Sequence, residues 1–88
     1  MALPIVRKGD PTSHGGKVIS ASNTHLIDGI GIARVGDMVA CPISSHGINP
    51  IIEGAATYLI GGRRVALDGH RTACGCKLIS SLVSAAYG

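Results

Sequence analysis

The stretch Gly69-His70-Arg71-Thr72-Ala73-Cys74-Gly75-Cys76 sets an imidazole and a thiol four residues apart in a glycine-flanked turn. Imidazole nitrogen and thiolate sulfur are the donors that Zn²⁺ takes in a tetrahedron, and a site whose four places are all filled by protein is structural. Slid back along the chain, Cys74-Gly75 superimposes on His14-Gly15 and, after a short insertion, on His46-Gly47. His70 stands where the two earlier copies carry Asp10 and Asp37. The expected ligands are therefore His14, His46, His70 and Cys74, because residues at one point of a pseudo-threefold arrangement converge near its axis, where one ion can bind them all. Cys41, just before Pro42, is either a small buried apolar residue or an alternative fourth ligand. Cys76 aligns with Gly16 and points away from the ligand position if Cys74 points toward it. His25 aligns with Tyr58 on a hairpin strand and reads as a surface side chain.

A catalytic metal would need an open coordination place with a general base or acid beside it. Asp10, Asp37 and Asp68 each sit in a turn, where a carboxylate commonly caps backbone N–H groups. The chain has no Ser-His-Asp or Cys-His pairing, phosphate loop or HExxH motif. The expectation is a structural zinc and no enzyme.

The elements that position these residues follow from an internal repeat. A constant offset of 33 carries Val18-Ile19 to Ile51-Ile52, Thr24 to Thr57, Leu26-Ile27 to Leu59-Ile60, Asp28-Gly29 to Gly61-Gly62 and Gly36-Asp37 to Gly69-His70. A third copy, truncated, begins at Cys74, with Cys74 to Ser80 matching His14 to Ser20 without a gap. Asp28-Gly29 and Gly61-Gly62 are two-residue hairpin loops that supply positive φ at both central positions. Gly9-Asp10 and Gly36-Asp37 open turns, and Pro11, Pro42 and Pro50 keep the neighbouring loops out of helix. The segment Leu78 to Tyr87 has apolar spacing that suits a helix, but the repeat register makes Leu78-Ile79 a strand position, so strand is expected. The fold class predicted is all-β, built of short strands and hairpins in pseudo-threefold internal repeats.

Eighty-eight residues make one domain, 1–88, near the size where small folds need a staple such as a metal. There is no Phe or Trp and only Tyr58 and Tyr87, so the core must come from Ile, Val, Leu and Ala, while 13 glycines raise the entropy lost on folding. The net charge of +3 is scattered, with no basic run or interleaved aromatics, which argues against nucleic-acid binding. Three cysteines and no signal-peptide pattern point to synthesis in a reducing cytosol with thiols free for metal. No apolar run approaches the ~20 residues of a membrane span.

Together these residues resemble the proline-alanine-alanine-arginine (PAAR) repeat proteins, which cap the spike of the bacterial type VI secretion system. The resemblance is carried by Gly9-Asp10 with His14-Gly15-Gly16, by Asp28-Gly29 leading to Ile32-Ala33-Arg34-Val35-Gly36-Asp37, by Cys41-Pro42 with His46-Gly47, and by Gly69-His70 leading to Cys74-Gly75. The name motif itself is degenerate, with Gly31-Ile32-Ala33-Arg34 at its first occurrence and Arg64-Val65-Ala66-Leu67 at its second. The resemblance implies a small conical zinc-stapled protein whose base sits on the blunt end of a trimeric spike of the valine-glycine repeat (VgrG) class, and whose apex meets the target membrane. It implies one structural Zn²⁺ near that apex, held by the positions that match here, His14, His46, His70 and Cys74. It also implies release with the spike into a target cell or the medium, and possible effector partners carried as separate proteins, since no effector extension is expected on this chain. Three copies within one chain further imply one molecule per spike trimer. The competing readings are a zinc-dependent hydrolase and a stand-alone structural zinc module.

Overall fold

A computed structural model describes residues 3–42, 47–82 and 86–87. Among these residues there is no helix. Nine short strands are named in chain order: β1 Leu3–Pro4, β2 Lys17–Val18, β3 Leu26–Ile27, β4 Ile30–Gly31, β5 Met38–Cys41, β6 Gly47–Pro50, β7 Leu59–Ile60, β8 Arg63–Arg64 and β9 Ala86–Tyr87.

The two hairpins read from the sequence form as expected, β3 with β4 and β7 with β8, both antiparallel. Their loops hold φ of 53° at Asp28 and 77° at Gly29, and 61° at Gly61 and 81° at Gly62. That left-handed pair matches the twist of the flanking strands, and aspartate is among the few non-glycine residues that tolerate it.

The third copy is not truncated, which corrects the expectation. β9 pairs antiparallel with β1, Leu3 opposite Tyr87 and Pro4 opposite Ala86, in the register that sets Ile30 opposite Ile27 and Gly31 opposite Leu26. The N-terminal strand thus completes the hairpin that the C-terminal segment begins, and Ala86–Tyr87 is strand, as the repeat register requires. Residues 83–85 lie outside the described residues.

With three hairpins in place the copies close into a ring. Val6 N–H donates to Ala66 C=O at 3.0 Å, Ala66 N–H to Ala33 C=O at 2.9 Å, and Ala33 N–H to Val6 C=O at 2.9 Å. All three residues are fully buried. Where three backbones approach one axis only small side chains fit, and the chain supplies Val, Ala and Ala. A second cycle joins the same copies through Ile19 N–H to Met38 C=O, Ile52 N–H to Arg71 C=O and Ile79 N–H to Pro11 C=O, at 2.9, 3.0 and 2.9 Å. Each donor belongs to one copy and each acceptor to the next. Such cycles leave few backbone groups unpaired in a fold with little regular sheet.

The buried apolar residues form two cores. The axial core joins Val6, Ala33 and Ala66 to Val18, Val39, Ile51, Cys76 and Leu78, with Cys74 packed against it. The other gathers Ile5, Ile32, Ala55, Ile60, Val65, Leu67 and Leu82 beneath the hairpins, with Ile27 and Tyr58 against it. Each fully buried Val, Ile or Leu contributes about 1.5–3 kcal/mol of transfer free energy. Seven aliphatic residues and Cys76 make a small axial core, and the ligand turns are built directly on it.

Candidate metal centre

Each copy enters its ligand turn through the same local device. Asp10 Oδ2 accepts the N–H of Arg7 at 2.9 Å, and Asp37 Oδ2 accepts that of Arg34 at 2.8 Å. His70 Nδ1 accepts the N–H of Leu67 at 3.0 Å. The C=O of each turn residue then receives the N–H of an axial aliphatic: Val18 to Asp10, Ile51 to Asp37 and Leu78 to His70, at 2.9, 2.9 and 2.8 Å. The carboxylates at 10 and 37 are therefore turn caps, as the sequence suggests. Asp68 serves similarly, its Oδ1 accepting the Ser80 N–H at 2.8 Å.

Four residues beyond these caps stand His14, Cys41 and Cys74. Their ligand atoms all lie within 4.8 Å of one another, the one group of three or more metal-binding side chains among the described residues. Cys41 Sγ is 3.6 Å from His14 Nδ1. Cys41 ends β5, while His14 and Cys74 lie in turns outside any strand. The turns are held together by backbone pairing of Thr12 with Leu78 and Ile51 with Thr72, and by β2 against β5. Asn49, buried on β6, accepts the N–H of Cys74 at Oδ1, 3.0 Å away, and so fixes that turn against the second copy.

The thiols differ in environment. Burial raises the Cys74 thiol, but hydrogen bonds from the Thr72 hydroxyl, the Cys76 N–H and thiol, and the Cys41 thiol outweigh it and bring it down from 9.0 to about 6. Burial pushes the Cys76 thiol up instead. Cys76 Sγ lies 3.0 Å from Thr72 Oγ1 within the axial core, outside the three-residue group. Its counterpart Gly16 has no room for a side chain, since a Cβ there would run into the carbonyl of Ala40.

Donors held about 2.0–2.3 Å from one zinc sit roughly 3.3–3.8 Å apart in a tetrahedron. An imidazole and two sulfurs drawn from three turns, with the first pair 3.6 Å apart, fit such an ion. Of the residues expected from the repeat, the structure brings His14 and Cys74 together and adds Cys41. It does not bring His70 to them. An imidazole accepts a hydrogen bond at Nδ1 as a carboxylate would, so His70 replaces the turn cap and not a metal ligand. His46 lies outside the described residues. His25 is exposed on its hairpin approach, with Nδ1 3.0 Å from Thr24 Oγ1.

The sign that identifies Cys41 is the offset of 33 itself, which carries Asp37 to His70 and, four residues on, Cys41 to Cys74. Counting backward from Gly47 leads instead to His46, because the second copy has its insertion between the two.

The PAAR motif family matches residues 8–80, most of the chain and all three ligand turns. The chain belongs to the PAAR motif family. The PAAR motif indicates the spike-tip family of the type VI secretion system. No curated protein matches the chain.

Proposed function

We propose that this PAAR motif chain caps the blunt end of a trimeric VgrG-class spike, one copy per trimer, with a structural Zn²⁺ closing its apex. The observation that carries the reading is the cycle of hydrogen bonds through Val6, Ala33 and Ala66, which gives one chain the threefold symmetry that a trimeric partner presents. The hairpins supply the docking base. Leu3, Leu26, Ile30 and Leu59 lie on strands of the three hairpins and are exposed despite being large and apolar. Such residues support an interface once three related copies of them act together.

At the other core the metal is held by His14, Cys41 and Cys74. His46 completes the tetrahedron in this proposal, since it directly precedes Gly47, the residue paired with Cys41. When bound, the ion supplies cross-linking of distant turns, and the protein's own part is to present deprotonated donors at the meeting point of three copies. The chain is made in the cytoplasm and leaves with the spike, meeting the target membrane briefly.

Co-purification with spike proteins encoded by the same organism tests this reading. A complex with a trimeric β-helical spike is expected, and it is lost in a Leu26→Asp, Leu59→Asp double variant that keeps its zinc. Failure to bind any such partner would leave a stand-alone zinc module.

A further inference from the structure

The metal group contains two thiols on opposite sides of a junction between copies, Cys41 at the end of β5 and Cys74 in the turn of the third copy. Their sulfurs lie no more than 4.8 Å apart. A disulfide needs about 2.05 Å, and a change of one side-chain torsion moves a sulfur by roughly the difference. The backbone holds the two turns together independently of any ion: Ile51 bridges Thr72, Ala73 N–H donates to Pro50 C=O at 2.9 Å, and Cys74 N–H donates to Asn49 Oδ1 at 3.0 Å.

We propose that Cys41 and Cys74 form a second staple, a disulfide that takes over from the metal when the chain meets an oxidant of the peroxide or disulfide class. The place where it would meet one, outside the reducing cytosol, rests on the function proposed above; the chemistry does not. Cys74 is half-buried while Cys41 is buried, so Cys74 is the sulfur an oxidant reaches. With a peroxide, the Cys74 thiolate attacks the O–O bond, forming a sulfenic acid and releasing hydroxide. The Cys41 thiolate then attacks the sulfenic sulfur and expels a second hydroxide. Two electrons pass from two thiolates to one peroxide, and Cys41 and Cys74, once joined, would no longer be available to hold a metal. Cys76 is the competitor, two residues along the same turn with its sulfur sharing the Thr72 hydroxyl with that of Cys74, but it is fully buried in the axial core and lies outside the three-residue group.

The consequence is an apex closed in either redox state. A bond from Cys41 to Cys74 joins the second copy to the third and encloses a long loop, which constrains the unfolded chain. A histidine at either position would give a zinc ligand but no such bond.

Zinc-loaded protein treated with hydrogen peroxide decides it, followed by a zinc-chelating dye, intact mass and non-reducing peptide mapping. The expected result is release of the zinc, loss of two hydrogens, a Cys41–Cys74 linked peptide with Cys76 free, and a higher Tm than the reduced metal-free chain. Dithiothreitol restores zinc binding. Cys76→Ser behaves as the parent, whereas Cys41→His binds zinc and gives no intramolecular cross-link. A Cys74–Cys76 link, intermolecular dimers only, oxygen added to sulfur without a cross-link, or an oxidised chain no more stable than the reduced metal-free one would overturn the proposal. None of these readouts involves the spike, so loss of spike binding and loss of the disulfide are separable results.

Discussion

His70 shows how one residue type serves a different end from the one its chemistry suggests. It accepts the Leu67 N–H where Asp10 and Asp37 accept those of Arg7 and Arg34. His70→Asp is therefore expected to keep both zinc and stability. His70→Ala keeps zinc but loses about 1–3 kcal/mol, the cost of a buried donor left unpaired. Zinc titration and chemical denaturation of both variants check this, and zinc loss from His70→Asp would return His70 to the metal. Asp37 carries a second prediction. Burial raises its carboxyl, but hydrogen bonds and charge from Arg34, with charge from Arg63, outweigh this and hold it below the ordinary 3.8. Arg34 Nε and Arg63 Nη2 lie 3.0 and 3.1 Å from its oxygens. The folded protein then binds this proton less readily than the unfolded chain, so the stabilisation is complete above 3.8 and disappears as pH falls through the lower folded value. Denaturation series from pH 5 downward should show a shallower acid loss in Asp37→Asn than in the parent.

Among the elements, the hairpin of β1 and β9 is the one closed by non-local pairing. Tyr87 and Leu3 stand where Ile27 and Ile30 stand in the first hairpin, whose loop is Asp28-Gly29. Between Tyr87 and Leu3 a circularised chain would have Gly88, Met1 and Ala2, a three-residue loop of a length common in hairpins. Joining residue 88 directly to residue 1 and opening the chain between Asp28 and Gly29 is expected to yield a folded, zinc-binding permutant. Circular dichroism with zinc titration tests it. A permutant that does not fold would mean that β3 and β4 need their covalent loop as β1 and β9 do not.

For the whole molecule, the proposed stoichiometry rests on symmetry. One chain already carries three copies, and they are unequal, the second holding an insertion after Cys41 and the third divided between the two ends of the chain. A homotrimer would set nine mismatched units around one axis, whereas under the proposed function a single chain offers three related hairpins to three spike subunits. A stable interface usually buries more than ~1,000 Å², and in the proposed function all three hairpins contribute to it. Native mass spectrometry of the complex is expected to show one cap to three spike subunits, and a three-to-three assembly would defeat the reading.

What the sequence determined by itself is what repeats and turn chemistry determine locally. The offset of 33, the Asp28-Gly29 and Gly61-Gly62 hairpins, the carboxylate caps, and His14 and Cys74 at one repeat point were all legible, because each rests on a short stretch with a required φ or a recurring spacing. Tertiary structure decided the rest. An insertion lets the second copy be counted from either side, and only the pairing of β2 with β5 and β5 with β6 settles that Cys41 joins His14 and Cys74. His70 has a metal ligand's chemistry, and only its proximity to the Leu67 N–H assigns it to the turn. The third hairpin left no local sign, since its strands come from opposite ends of the chain and are matched by closure of the ring, a contact no spacing rule encodes.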